Sequence, residues 1–329
     1  MSLTDQTPPI NKARLLVLFA GCISVLGIFA GVKVENAIEA SRVTPSLVVI
    51  PVVLPAESSV SSQIIAPVAS TIPISTTSIE ALTPVSHPDG ITAKAYIVGN
   101  VMTGHVYLGL NSADVLPVAS MSKLITTIAA TDTLSPTTTI TITPAEMNVP
   151  PDGSNLAAGE TFTLEEILYP LLLDSSNVAA EAVASSTDRS KFLYLMSSYA
   201  WEIGMPTAYF ADPSGLDPHN HASASDMFAL AKYLYVYRPD ILAVTHIPHE
   251  SVATTTEHGA HSFDSIHPFV NDPRFIGGKT GRTLEAGETM MTILRINNQP
   301  IAFIVLGSDY GSRQADTDLL IQKFQALQD

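Results

Sequence analysis

The sequence predicts an α+β fold: an antiparallel sheet whose first and last strands meet, with a helical region inserted between them. Three observations carry this. Strand-like segments stand at both ends of the globular part. Helical patterns fill the middle and follow the last strand. One of them puts Met121, Leu124, Ile125 and Ile128 at i, i+3, i+4 and i+7, the spacing of a single buried helical face.

The 329 residues are enough for one large domain or two ordinary ones, and an apolar share of 46% allows a sizeable core. The net charge is −15, from 31 acidic and 16 basic residues. That excludes nucleic acid as a natural partner and gives no polybasic membrane patch. A single cysteine, Cys22, excludes an intramolecular disulfide framework and a cysteine-based zinc site.

Residues 1–14 read as a polar cytoplasmic tail ending in Lys12 and Arg14. Residues 15–32 then run 18 positions without a charge. At a 1.5 Å rise this is about 27 Å of helix, close to the ~30 Å hydrocarbon core. The segment is expected to be an uncleaved transmembrane anchor, with the following chain outside the membrane. A cleaved signal peptide is the first alternative, but its best cleavage point, after Ala40, has Ile38 where a small residue belongs. A lipoprotein signal at Phe19-Ala20-Gly21-Cys22 is the second, although ten more apolar residues follow Cys22. Lysine and arginine flank both ends, so charge does not fix the orientation.

Residues 33–88 read as an extracytoplasmic linker. Its Ser41–Pro88 part holds seven prolines, ten serines and five threonines, with no glycine. Such a chain is semi-stiff and reaches about 150 Å at ~3.1 Å per residue. Within it, Leu47 to Leu54 is apolar and β-prone, and fits an edge strand lying against the domain.

From residue 89 to 329 the composition is globular. Ile91–Gly99 and His105–Leu110 form a hairpin signal around Asn100-Val101-Met102-Thr103-Gly104. A helix carrying Ser120 follows. Thr163-Leu164-Glu165-Glu166 is a capping box before Ile167–Leu173, a helix that Pro170 should kink. Ser176–Ser185 and Ser190–Ile203 read as helices, the second stopped by Gly204. Ser223 with Asp226 caps another, which ends at Pro239. Glu288–Ile296 and Pro300–Ser308 are strands around Asn297-Asn298-Gln299. Asp316–Leu327 closes the chain as an amphipathic helix.

Chemistry concentrates in three places. Ser120 and Lys123 stand at i and i+3, one helical turn apart. A serine hydroxyl attacks only when something takes its proton. A lysine amine can do that once burial lowers its pKa. The helix N-terminus adds unpaired N–H groups for an oxyanion. Ser175-Ser176-Asn177 sits in a break between helices. A hydroxyl there can pass a proton to a leaving amine, and the amide can hold a peptide; a plain helix cap is the alternative. Gly278-Lys279-Thr280-Gly281 precedes strand residues. Its glycines let a substrate backbone approach an edge strand, and its lysine adds positive charge; a strand-end turn is the alternative.

Ser-x-x-Lys, Ser-x-Asn and Lys-Thr-Gly in this order resemble the signature of the penicillin-recognising serine acylases. The surrounding residues narrow the resemblance. Pro117 to Leu124, Gly159-Glu160 ahead of Thr163 to Tyr169, Phe210 to Asp217 and Gly277 to Thr283 all resemble low-molecular-mass penicillin-binding proteins, the serine-type D-Ala-D-Ala carboxypeptidases. The resemblance covers about residues 88–329 and implies a β-lactamase/transpeptidase-like fold.

It also implies roles. Ser120 attacks the peptide carbonyl between two D-alanines and Lys123 accepts its proton. Ser175 relays that proton to the leaving D-alanine while Lys279 tunes the charge. Asn177 holds the acyl side. The oxyanion sits between the N–H groups of Ser120 and Arg282, next to Gly281. Thr280 and Arg313 bind the terminal carboxylate. The substrate is the peptidoglycan stem peptide, β-lactams are covalent inhibitors, and no metal or cofactor is expected.

The chain departs from the family in Ser176 where glycine is usual, Ser122 where threonine is common, and the bulky Arg282. Many relatives carry a C-terminal β-rich domain and amphipathic helix; here attachment is expected from the N-terminus. Three other readings stand beside the carboxypeptidase: a DD-endopeptidase, a class A-like β-lactamase, and a non-catalytic wall-binding protein. The β-lactamase needs an acidic general base on a loop between the second and third motifs, and no Glu-x-x-Leu-Asn-like stretch lies between Asn177 and Lys279. His246-x-x-His249 and His258-x-x-His261 have ligand-like spacing but read as surface loop residues.

Overall fold

The computed structural model describes residues 89–150 and 152–328. The anchor at 15–32, the linker at 33–88 and the strand expected at 47–54 lie outside the described residues. Among the described residues no helix is long and apolar enough to cross a membrane.

The first and last strands meet as expected. Strand β1 (Ala95–Asn100) pairs antiparallel with β11 (Gln299–Ser308), Ala95 opposite Leu306. The five-stranded sheet runs β2 (Val106–Leu110), β1, β11, β10 (Gly287–Ile296), β9 (Phe275–Thr283). Side chains alternate across it, as a period of two requires. Ala95, Ile97, Met291, Ile293, Ala302 and Ile304 join the core shared with the inserted helices. Tyr96, Val98, Met290, Leu294, Phe303 and Val305 face the other way, against Leu320 and Phe324 of α7 (Arg313–Ala326). Both faces are covered, so the central strands read as continuous apolar runs.

The expected first strand begins later than its apolar run. Ile91 to Lys94 stay outside the sheet because Thr92 donates from N–H and Oγ1 to the Asp316 carboxylate, both at 2.8 Å. That fastens the entry of the domain to α7.

Helix α1 (Ser122–Thr133) is buried all round from Ser122 to Ala130, not on one face alone. It packs against α2 (Leu164–Leu172), α3 (Asn177–Ser185) and α4 (Arg189–Ile203). Its polar residues survive burial by bonding to carbonyls. Thr127 Oγ1 donates to Lys123 O at 2.8 Å and Thr126 Oγ1 to Pro213 O at 2.6 Å.

The capping box at Thr163 and Glu166 is formed, Gly204 stops α4 in a left-handed conformation, and Ser223 with Asp226 opens α5 (Ala224–Tyr237). Pro170 lies two residues before the end of α2, and the chain leaves the helix at Leu173. As expected, α5 ends just before Pro239, which then opens a further helix, α6 (Pro239–Thr245), at its first position, where its missing N–H costs nothing. Three short strand pairs were not anticipated: β3 (Val115–Pro117) with β6 (His221–Ser223), β4 (Thr139–Thr141) with β5 (Thr161–Thr163), and β7 (His249–Val252) with β8 (His261–Asp264).

The histidine reading needs correction for one pair. His246 and His249 are exposed, but His258 and His261 are not. His258 stacks on Phe162 with ring centroids 4.4 Å apart and faces Glu166, while His261 Nε2 meets Glu160 Oε1 at 2.8 Å. They fasten the β7–β8 hairpin to the start of α2. Among the described residues no group of three or more His, Cys, Asp or Glu side chains is arranged to hold a metal ion.

Candidate active site

Ser120 lies in a tight 3-10 turn, Ala119–Met121, that runs directly into α1. The turn begins with Ala119 at φ +48, a left-handed conformation uncommon for a residue with a Cβ. Two glycines let the chain pack onto it. A Cβ on Gly215, itself at φ +88, would stand 2.0 Å from Ala119 O. A Cβ on Gly281 would stand 2.9 Å from Ser120 N. Strand β9 and the Asp212–Asp217 loop therefore close on the nucleophile turn from two sides.

That loop is built by one carboxylate. Asp212 Oδ1 accepts from Ser214 N at 2.6 Å, Ser214 Oγ at 2.8 Å and Gly215 N at 2.6 Å, and Oδ2 accepts from Asp217 N. Asn220 ties the loop to α1 by donating to Ser122 Oγ at 3.0 Å and to Asp212 O at 2.8 Å. The reward of this geometry is the carbonyl of Ser214, which points at the lysine.

Lys123 is wholly buried. Its Nζ contacts Ser120 Oγ at 2.9 Å, Asn177 Oδ1 at 2.9 Å and Ser214 O at 2.7 Å. Two of these three oxygens can only accept. In the neutral amine both N–H bonds go to them, and the lone pair is left facing the Ser120 hydroxyl. Burial lowers the Lys123 pKa from 10.5 to about 7, against the pull of Asp152, Asp212 and Glu181, which favour the ammonium.

The second motif divides its labour. Ser176 is the cap of α3, accepting from Ala179 N at 3.1 Å, so the helix-cap alternative is true of this serine. Ser175 precedes it at φ +64 and points away, into contact with Lys279. Lys279 Nζ reaches Ser175 Oγ at 2.8 Å and Thr280 O at 3.1 Å. Burial, then repulsion by Lys123 and Arg313, pushes Lys279 well below the ordinary lysine range.

Lys279 lies within β9, not ahead of it as expected. The pairing of Gly278, Lys279, Thr280 and Gly281 with Thr292, Met291, Met290 and Thr289 extends β10 pairing through the whole motif. As expected, β9 is the edge strand, with its outer side unpaired in the sheet. His267 supports it from beneath. Burial holds this imidazole down to about 3, and its neutral ring bonds Met291 O at 3.0 Å.

A cavity of about 380 Å³ joins the predicted residues: Ser120, Ser175, Asn177, Thr280, Gly281, Arg282 and Arg313 all line it. Lys123 and Lys279 sit behind Ser120 and Ser175. Arg313 donates from Nη1 to Gly281 O at 3.1 Å, and Glu288 lies 3.9 Å from its Nε. The α7 acids Asp316 and Asp318, close to it in sequence, are not its partners. Arg282 projects outward over the Tyr310 ring, 5.0 Å from the centroid.

Two acids on the cavity wall were missed. Asp152 anchors the start of α3, accepting from Asn177 N, from Val178 N at 3.2 Å and from Ser176 Oγ at 3.0 Å. Burial alone would raise its pKa; the bonds from Ser154, Val178 and Asn177 hold it below the usual carboxylate range. Asp174, next to Ser175, is the other. Asp152 stands 25 residues before its partner Asn177, so no local spacing announces it.

The family model for D-alanyl-D-alanine carboxypeptidases (peptidase family S11) matches residues 82–310. The chain is similar to a D-alanyl-D-alanine endopeptidase of Haemophilus influenzae, 27% identical over 248 residues, covering 72% of this chain and 83% of that protein. Among solved structures, penicillin-binding protein D2 of Listeria monocytogenes in its cefotaxime-bound form is 25% identical, with a TM-score of 0.62, over 70% of this chain and 96% of that one. A D-alanyl-D-alanine carboxypeptidase of Mycobacterium tuberculosis shares the fold at a TM-score of 0.66 and 21% identity, over 71% of this chain and 91% of that one.

Proposed function

The chain belongs to the D-alanyl-D-alanine carboxypeptidase family, and from that premise we propose that Ser120 is the nucleophile of a serine DD-peptidase acting on peptidoglycan stem peptides. The single observation that carries the assignment is the Lys123 amine, dry and 2.9 Å from Ser120 Oγ, with its other two contacts on acceptor-only oxygens.

The geometry supports the following course. The peptide lies as an added strand along the free edge of β9. Its terminal carboxylate meets Thr280 and Arg313. Ser120 Oγ attacks the carbonyl of the penultimate D-alanine as its proton passes to Lys123. The oxyanion is held by backbone N–H groups at Ser120 and Arg282. The proton moves through Ser175, beside the Lys279 amine, to the leaving nitrogen, and D-alanine departs. Water then cleaves the Ser120 ester by the reverse proton path. Asn177 has two tasks: its Oδ1 holds Lys123, and its amide nitrogen faces the acyl portion. Cysteine, metal and cofactor have no part in these steps.

β-Lactams, which carry a strained amide in place of the scissile bond, acylate Ser120 by the same first step. Intact mass after penicillin treatment rises by one adduct, and Ser120→Ala abolishes it; labelling that persists in the variant sinks the assignment. A DD-endopeptidase is the second reading, favoured by the name of the Haemophilus relative. Release of D-alanine from a pentapeptide, against cleavage of a D-alanyl cross-linked dimer, separates the two.

Residues 15–32 serve as the membrane anchor, holding the domain outside on its proline-rich linker. The uncharged 18-residue run supports this. Protease added to spheroplasts should remove the domain, whereas a mature N-terminus near Ser41 would indicate cleavage and release.

A further inference from the structure

The cavity has two sides of opposite charge. Strand β9 and helix α7 bring Arg282 and Arg313. The segments before α3 bring Asp152 and Asp174. The peptidase chemistry uses the cationic side for the leaving end of the substrate and gives Asp174 no task.

The two acids are not equivalent. Asp152 is occupied by the N–H groups and hydroxyls that build the start of α3. Asp174 accepts one hydrogen bond through Oδ1, from Asp264 N at 2.9 Å, and among the described residues nothing donates to Oδ2. No lysine, arginine or histidine of the described residues pairs with it. Burial, together with the carboxylates of Asp264 and Asp152, pushes it up to about 6. It is a half-satisfied acid beside Ser175, on a wall shared with Ser120 and Asn177.

We propose that Asp174 is a specificity residue whose carboxylate binds a protonated side-chain amine on the acyl portion of the peptide substrate. The leaving residue carries a carboxylate and points to the guanidinium side. The acyl portion runs the other way, past Asn177, toward the acids. A peptide with an anion at one end and an ammonium on the residue before the two alanines matches both sides of the cleft. An amine that has been acylated, as in cross-link formation, loses its charge and this contact with it. The alternative is that Asp174 only fastens the loop to Asp264.

The inference rests on the DD-peptidase reading, and the experiment separates the two. The probes are three peptides ending in lysyl-D-alanyl-D-alanine, with the lysine side-chain amine free, acetylated or succinylated. In the wild-type protein kcat/KM should fall in that order. Asp174→Asn keeps an oxygen for Asp264 N but has no charge. It should lose about 10- to 100-fold on the free amine, the size of a charge-assisted contact. It should leave the acetylated peptide within about twofold and improve the succinylated one. Asp174→Glu should keep the preference. Both variants should still form the single penicillin adduct on Ser120. Equal losses on all three peptides, or no ranking in the wild type, overturn the inference. Failure of the peptidase reading looks different: no D-alanine is released from any peptide and no penicillin adduct forms.

Discussion

Lys123 acts as a base only as a neutral amine, so acylation should follow its titration. With a pKa of about 7, the neutral fraction is about one-eleventh at pH 6, one-half at pH 7 and ten-elevenths at pH 8. The second-order rate constant for benzylpenicillin should therefore rise about tenfold from pH 6 to pH 8 and level off above. The displacement from 10.5 corresponds to about 5 kcal/mol of lost preference for the charged form. Its sign for stability follows. The unfolded chain keeps the lysine proton up to its ordinary pKa and the folded chain does not. The cost of burying Lys123 is therefore full below pH 7 and fades as pH rises toward 10.5. Two variants test the cause. Glu181→Gln removes a carboxylate that favours the ammonium, so the inflection should move to lower pH. Lys123→Arg supplies a cation that does not deprotonate, so acylation should vanish at every pH. Stopped-flow measurement with a chromogenic β-lactam reads all three profiles. A profile flat from pH 6 to 9, or an inflection near 10, would refute Lys123 as the base.

Gly215→Ala should lower the melting temperature and cut penicillin acylation more than 100-fold, because left-handed backbone costs about 1–2 kcal/mol and the new methyl meets Ala119 O. Gly159→Ala, also at positive φ but with open space around it, should lose stability alone. Arg313→Ala should lose about 10- to 150-fold in kcat/KM on a carboxylate-ended peptide and far less on its amide; equal losses would leave Arg313 a structural residue held by Glu288. His258→Ala empties a buried site stacked on Phe162 and should cost about 2–4 kcal/mol in a denaturant titration, with acylation unchanged. Chelators should leave the midpoint of the wild type where it was.

The parts of the site legible in the sequence were those fixed by local spacing or by several short motifs at once. Ser120 and Lys123 declare themselves through i and i+3, and the capping boxes at Thr163 and Ser223 through a cap followed by an acid. The closing contact of the sheet was legible because strand patterns occupied both ends of the domain. What escaped depends on tertiary contact. Nothing near Gly215 says that its α-carbon must touch Ala119, and nothing near Asp152 says that it caps a helix 25 residues later. The strands of the three short pairs are three or four residues long, below what alternation can signal. Glycines inside β9 disguised a strand as a turn. His258 and His261 looked like loop residues because their partners, Phe162 and Glu160, lie about a hundred positions upstream.

The order of strands in the sheet has a consequence for how the protein comes into being. Its middle strand is β11, and β11 is zipped to β1 across 211 positions of chain, from Ala95 to Leu306. During synthesis β1 and its hairpin partner β2 emerge long before β11, and through that interval the five-stranded sheet cannot close. Contacts so distant in sequence make folding slow and keep apolar segments exposed while it proceeds. The cavity beside Ser120 is lined by Thr280, Gly281 and Arg313, so it is incomplete until the far end of the chain arrives. The enzyme is therefore inert as a nascent chain, and any truncation before residue 308 removes part of the central strand along with the activity.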